Sequence, residues 1–177
     1  MMNFSFFFMV TLGLVICQTV VFPEFSWFSQ CFDTLIIVVL YLSLAYTGYG
    51  AVTAIVGIGI LMDSLSGAPF FLHVFSYLWI FLVVQMFKQL VFQRSVLFMM
   101  TVSLIAVAIQ QVLILFSVFV SHGQPGITAI DYSLVIRQLF WGVLFIPAGV
   151  WVTNIFRQNY MVVIRQVRRE MARKYGA

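Results

Sequence analysis

Charged side chains are scarce in this chain. Nine Lys or Arg and five Asp or Glu make up 8% of its 177 residues, where a soluble domain carries about 25%. Apolar residues account for 63%, so the composition excludes a soluble globular protein and predicts an integral membrane protein. Spans of about 20 residues each use nearly the whole chain. No segment is left that is long enough for a separate soluble domain.

Cysteine is almost absent. Cys17 lies in the first apolar run and Cys31 near the start of the second. The pair has neither the spacing of a metal site nor the density of a disulfide-stabilised secreted scaffold. Both residues are expected to be small apolar fillers, and no metal or other cofactor is expected.

A cleaved secretion signal is not expected at the N-terminus. No Lys or Arg precedes the first apolar run, residues 1–22, and no small-x-small cleavage site follows it. We therefore expect a retained first helix rather than a cleaved signal peptide.

Six apolar runs with short connections predict six transmembrane helices. The fold class is all-α: a polytopic membrane protein with short loops and a basic amphipathic C-terminal tail. We predict one six-helix domain over residues 1–156 and a cytoplasmic tail over residues 157–177. The predicted spans cover residues 1–22, 34–46, 51–65, 69–90, 95–120 and 132–154.

The basic residues predict the orientation. With six spans and both termini in the cytoplasm, eight of the nine Lys and Arg fall on the cytoplasmic side, and Arg137 is the exception. This distribution follows the positive-inside rule. The acids near the outer side are Glu24, Asp33, Asp63 and Asp131.

The stretch from Gly57 to Phe81 places a carboxylate, a glycine break and a histidine within apolar sequence. Gly67 and Pro69 predict the apex of a hairpin, because glycine ends one helix and proline fits the first turn of the next. Asp63 lies about one turn below this apex, where a carboxylate costs roughly 2.5 to 3.5 kcal/mol on insertion scales. It should face protein and have a partner.

Arg137 is the predicted partner of Asp63. At ~1.5 Å per residue the two lie at matching depth, and a guanidinium would offset a carboxylate at a helix C-terminus. Two alternatives stay open: Asp63 caps the amides of residues 64–67, or Arg137 extends towards Asp131. His73 is expected to form structural hydrogen bonds, because one histidine and one carboxylate are too few for a metal site.

Small residues are expected to bring helices close together in lipid. On the third predicted helix, Ala54, Gly57, Leu61 and Ser64 form one stripe. In the fifth, Gln110 or Gln111 should bond another helix, because both amides cannot face lipid unsatisfied. The predicted packing residues are Ala54, Gly57, Gly59, Gly142 and Gly149.

The sequence contains no recognisable combination of catalytic residues. An intramembrane aspartyl protease needs two carboxylates that share a proton, and only Asp63 is placed for that role. Gly57 and Gly59 do not begin a phosphate loop, since no Gly-Lys-Ser/Thr follows. We expect no enzymatic activity.

Residues 157–177 predict a basic amphipathic helix. On the inner leaflet it could gain about 1 kcal/mol per basic residue from anionic lipids; docking of a cytoplasmic partner is the alternative. Nucleic-acid binding is not expected, because a tail flush with the membrane lacks reach. The residues assigned to this surface are Arg165, Arg168, Arg169, Arg173 and Lys174.

With these residues, the chain resembles the bacterial rod shape-determining protein MreD family. That family has five or six spans and a glycine-rich helix ending in Leu-x-Asp, followed by a Ser-Gly turn and, about ten residues on, a tyrosine. This sequence departs from the family at Pro69-Phe70-Phe71 and at His73. The matching positions are Gly57, Gly59, Leu61, Asp63, Ser66, Gly67 and Tyr77.

The resemblance implies a non-enzymatic subunit of the cell-wall elongation complex in the bacterial inner membrane. Such a subunit binds MreC and links wall synthases outside to the actin-like MreB filament inside. The alternative function is the substrate-binding membrane subunit of an energy-coupling-factor-type vitamin transporter, also a compact six-helix protein. Its outward-facing pocket would be lined by Asp63, His73, Gln110, Gln111, Arg137 and Trp141.

Overall fold

The computed structural model describes residues 4–24, 33–66, 71–90, 96–122 and 132–175. Within these ranges the regular structure is helical and no strand occurs, which confirms the all-α expectation. A π-helical turn, Cys17–Val21, joins the first two helices. The helices are α1 (Phe4–Ile16), α2 (Phe22–Glu24), α3 (Leu35–Ala45), α4 (Tyr49–Ser66), α5 (Leu72–Leu90), α6 (Val96–His122) and α7 (Tyr132–Tyr175).

Three helical segments in the described part of the chain are long and apolar enough to cross a membrane: Tyr49–Ser66, Leu97–Val120 and Val135–Ile164. They indicate a membrane protein, as the composition predicts. The other apolar helical segments are shorter, at 10–17 residues: Phe6–Val21, Leu35–Ala45 and Leu72–Lys88.

Helix α3 is the centre of the bundle, although it has only 11 residues. Every residue from Leu35 to Ser43 is buried, and α3 packs against α1, α4, α5, α6 and α7. A helix that is apolar on all sides is typical of a protein core or of a membrane span. At ~1.5 Å per residue α3 is about 16 Å long, roughly half the thickness of the hydrocarbon core.

Side chains from other helices satisfy the backbone groups at both ends of α3. The Gln18 Oε1 atom accepts the Thr34 N–H at 3.1 Å. At the far end, Gln85 Nε2 donates to the carbonyls of Ser43 and Tyr46, each at 2.9 Å. Helix ends away from water need such partners, so these two glutamines allow a short helix to end inside the bundle.

Close packing of α4 on α5 depends on Gly59. A Cβ atom at this position would lie 2.6 Å from the Val74 Cα atom, closer than real Cβ atoms approach. Phe71, just before α5, adopts a positive φ of 69°. The predicted apex residues Gly67 and Pro69 lie outside the described residues.

Two glycines of α7 allow similarly close contacts. A Cβ atom on Gly142 would lie 2.7 Å from Val107 Cγ2 of α6, and one on Gly149 would lie 2.5 Å from Ile37 Cδ1 of α3. The last long helix therefore approaches both the central helix and its neighbour α6 at glycine positions.

The small-residue stripe predicted on α4 faces away from the bundle. Gly57, Leu61 and Ser64 are exposed, and a Cβ atom on Gly57 would have nothing within 4 Å. Ala54 is half-buried against the core. Small residues occur on both sides of α4, so their spacing alone could not identify the inner side. The buried residues of α4 are Ala51, Ile55, Ile58, Gly59, Met62 and Asp63.

Helix α7 continues from the apolar region into the basic tail. It has 44 residues and contains Pro147, so it is about 66 Å long at ~1.5 Å per residue. The predicted boundary between residues 156 and 157 falls inside this helix, because no glycine or proline follows Gly149 until Gly176. The backbone of the tail residues Arg165, Arg168, Arg169, Arg173 and Lys174 belongs to α7.

Candidate functional site

Asp63 lies in the last turn of α4 and is only 8% exposed. Its Oδ1 atom accepts the backbone N–H of His73 at 2.9 Å and lies 2.8 Å from His73 Nδ1. Its Oδ2 atom accepts the Val74 N–H at 3.5 Å. His73 and Val74 are the second and third residues of α5, whose N–H groups have no partner within their own helix. Asp63 therefore caps α5 from the neighbouring helix.

The residue in front of α5 cannot supply this cap itself. Phe71 stands there, and its side chain has no oxygen to accept a hydrogen bond. A carboxylate at a helix N-terminus also gains about 0.3 to 1 kcal/mol from the helix dipole, and up to ~2 kcal/mol when partly buried. The acid at the end of α4 thus replaces the missing cap of α5.

Arg137 is not the partner of Asp63, which corrects the predicted ion pair. The Arg137 side chain is exposed on α7, and the ion-pair contact that Asp63 makes among the described residues is with His73. The sequence predicts that Asp63 and Arg137 lie at the same depth. It does not predict which helices are neighbours in the bundle, or which way each side chain points. The first alternative, in which Asp63 caps the amides of residues 64–67, differs from the observed hydrogen bonds of Asp63 to α5. The second alternative, in which Arg137 extends towards Asp131, involves a residue that lies outside the described residues.

A second carboxylate, Asp33, connects three helices. Its Oδ1 atom accepts the Leu35 N–H at 3.0 Å, at the start of α3. Its Oδ2 atom accepts from the Tyr77 hydroxyl of α5 and, at 3.0 Å, from Gln110 Nε2 of α6. From the sequence, Asp33 is expected only to lie near the outer side. Its place just before Thr34, at the start of an apolar helix, is a helix-capping signal that could have identified it.

Tyr77 and His73 bring the two carboxylates into one group. They lie one turn apart on α5, with ring centroids 5.9 Å apart, and each hydrogen-bonds to a different carboxylate. We call Asp33, Asp63, His73, Tyr77 and Gln110 the polar network. It joins α4 to α5, and α3 to α5 and α6, at one end of the bundle.

The polar network holds helices together. Buried polar groups are costly unless they are hydrogen-bonded, and all four carboxylate oxygens here accept from backbone or side-chain donors of the bundle. Two cavities of the described region, of about 220 Å³ and about 370 Å³, are lined by other residues. No group of three or more His, Cys, Asp or Glu in this region could hold a metal ion.

Of the six residues proposed for a vitamin pocket, Asp63, His73 and Gln110 belong to the polar network, and the other three do not. Gln110 bonds Asp33 at 3.0 Å, whereas Gln111 donates to Gln138 and so joins α6 to α7. Trp141 is half-buried between the rings of Phe140 and Phe145 on its own helix. Gln111, Trp141 and the exposed Arg137 thus lie outside the polar network, so the six residues do not line one pocket.

Comparison of the chain with protein-family models, with curated proteins and with solved structures found no match in any of the three.

Proposed function

We propose that this chain is a non-enzymatic membrane subunit of the bacterial cell-wall elongation complex. It acts as a scaffold that binds an MreC-like protein and wall synthases in the inner membrane. The proposal includes six crossings with both termini in the cytoplasm. It is supported by the resemblance to the MreD family. It is also supported by the positions of the motif residues on α4, some of which face the bundle while others face away from it.

The observation that carries the proposal is that some residues of the MreD-like motif are buried in the bundle, whereas others are exposed. Asp63 and Tyr77 are buried in the polar network, and Gly59 lies against the backbone of α5. Gly57 and Leu61, which also lie on α4, are exposed on the outer side of this helix. The inward residues account for the packing of α4 on α5. The outward residues have no such packing role in the described chain, which favours contact with a second protein.

The outward side of α4 is suited to a partner helix. Gly50, Thr53, Gly57 and Ser64 are exposed there, close to Leu61. Small residues let a second helix approach closely, and such packing drives helix association in lipid, where apolar attraction between helices is weak. We assign this surface to a transmembrane helix of the MreC-like partner.

The six-crossing topology also includes the short α3. Backbone at membrane depth needs surrounding protein or internal hydrogen bonds rather than a full span in lipid. Leu35 to Ser43 are buried on all sides, and Gln18 and Gln85 satisfy the two ends. The orientation rests on the positive-inside distribution of Lys and Arg.

Substitution of Gly57 by leucine tests this function. We expect Gly57→Leu to lower recovery of the MreC-like protein by roughly tenfold, when the chain is purified from native cells in gentle detergent. The amount and thermal stability of the chain should not fall, because nothing lies within 4 Å of a Cβ atom on Gly57. Gly13→Leu is the matched control, since Gly13 is an equally open glycine on α1.

Equal recovery of the partner with wild type and Gly57→Leu would contradict the assignment of this surface. Recovery of an ATPase module with a second membrane subunit, in place of wall-synthesis proteins, would favour the transporter alternative.

A further inference from the structure

A second polar cluster lies at the end of α3 opposite to Asp33. Arg157 Nη1 donates to the Tyr41 hydroxyl at 3.0 Å, and this hydroxyl donates to Asn154 Oδ1 at 3.4 Å. The guanidinium carbon of Arg157 lies 5.2 Å from the centre of the Tyr46 ring, within cation–π range. Neutral groups thus hold the arginine in a fixed orientation.

The charge of Arg157 is not neutralised by any carboxylate that the structure describes. Among the acidic side chains that the structure describes, Glu24, Asp33 and Asp63, no oxygen lies within 4 Å of its guanidinium. A guanidinium has five N–H donors in a planar fork, and the bond to Tyr41 uses one of them. This fork matches the paired oxygens of phosphate and carboxylate groups. Arg157 is therefore arranged to recognise an anion.

A cavity of about 220 Å³ opens beside Arg157. Tyr41, Asn154 and Arg157 form its polar side, whereas Met99 and Trp151 form part of its apolar side. Pockets that enclose a drug-sized ligand measure about 300 to 1,000 Å³. This smaller cavity suits one part of a larger molecule, in which a charged group adjoins an apolar chain.

The depth of this cavity matches a lipid head group. About 20 helical residues cross the hydrocarbon core, and the apolar segment of α7 begins at Val135, so Asn154 and Arg157, about 20 residues further on, lie near the boundary opposite to Val135. Trp151 is 63% exposed, in keeping with the aromatic residues found at membrane interfaces. A soluble anion would not account for the apolar half of the lining.

We propose that this cavity binds the phosphate of an anionic phospholipid, in the leaflet where the C-terminal part of α7 leaves the membrane. Arg157 pairs with the phosphate, Asn154 and Tyr41 contact the head group, and the start of an acyl chain lies against Met99 and Trp151. Basic pockets between membrane helices bind anionic head groups in this way. The site is separate from the general attraction of the basic tail and does not depend on the scaffold role.

Native mass spectrometry of the full chain tests this site. The protein is released from mixed micelles that contain phosphatidylcholine and phosphatidylglycerol, and the lipid retained per chain is counted. We expect one phosphatidylglycerol to be retained in preference to phosphatidylcholine. Arg157→Gln should reduce that retention roughly tenfold, the loss expected for a charge-assisted hydrogen bond. Arg137→Gln, an exposed arginine on the same helix, should retain the lipid as wild type does.

A second variant separates lipid binding from folding. Ala45 lines the same cavity and none of the hydrogen bonds of Arg157 involves its side chain, so Ala45→Phe should displace the lipid while leaving Arg157 in place. Equal retention of phosphatidylglycerol by Arg157→Gln and wild type would overturn the proposal. Displacement of the lipid by inorganic phosphate would also overturn it, since the site would then take a soluble anion.

Discussion

At the scale of single residues, the buried Asp63 and the half-buried Asp33 act as caps for helices. Asp63 accepts the amides of His73 and Val74 at the start of α5, and Asp33 does the same for Leu35 at the start of α3. Each acid also binds a side chain of α5. In lipid, a helix N-terminus has no water to satisfy its free N–H groups. These carboxylates supply the acceptors and fix which helices meet.

Replacement of Asp63 by alanine is therefore expected to destabilise the bundle by about 2 to 4 kcal/mol. Loss of a cap costs about 1 kcal/mol, and each buried donor left unsatisfied costs about 1 to 3 kcal/mol. Unfolding of the purified chain in mixed detergent micelles would measure the loss. Asp63→Asn should lose less, because its one amide oxygen can still accept from the His73 N–H, although its NH2 group cannot accept from the Val74 N–H.

Ser64→Ala is the control for Asp63→Ala. Ser64 is exposed and bonds only to the Ile60 carbonyl of its own helix, at 2.8 Å, so its loss should have little effect. If Asp63→Ala and Ser64→Ala unfolded at the same detergent composition, the capping role of Asp63 would be wrong.

At the scale of helices, glycines decide how closely neighbours approach. On α4 two glycines lie two residues apart and have opposite surroundings. A Cβ atom on Gly59 would meet the backbone of Val74 at 2.6 Å, whereas one on Gly57 would meet nothing within 4 Å. Two residues correspond to about 200° around an α-helix, so one glycine faces the bundle and the other faces away from it.

The same substitution at these two glycines should have opposite effects. Gly59→Ala is expected to destabilise the chain by about 1 to 3 kcal/mol, because the added methyl group forces α4 away from α5. Gly57→Ala should stabilise it by up to about 1 kcal/mol, since alanine is the better helix former. Thermal unfolding of both variants in one detergent would compare them. A larger loss for Gly57→Ala than for Gly59→Ala would contradict the packing described.

At the scale of the whole molecule, α3 is the central helix and the polar groups lie at its two ends. The polar network surrounds the start of α3, and Arg157 with Tyr41 lies at the other end. Between them, Leu35 to Leu42 contribute only apolar residues and the ring of Tyr41 to the core. The bundle thus has an apolar middle between two polar clusters.

Labelling of introduced cysteines tests the proposed topology. Tyr49 and Phe71 are 91% and 59% exposed, and they lie at opposite ends of the hairpin formed by α4 and α5. In a background without native cysteines, a membrane-impermeant thiol reagent should label Phe71→Cys in intact cells. Tyr49→Cys should be labelled only after the membrane is opened. Labelling of both positions from the same side would contradict a crossing by α4.

Composition by itself determined that this chain is helical and belongs in a membrane, because 8% charged residues cannot cover a soluble surface. The glycine break after Asp63 also places this carboxylate within the apolar region, where it needs a partner. Only the tertiary structure decided that the partner is the start of α5 rather than Arg137, and that Gly59 rather than Gly57 faces the bundle. The spacing of residues in the sequence gives the depth of each residue along its helix. Which neighbour a side chain contacts depends on how the helices are arranged and rotated about their axes in the bundle.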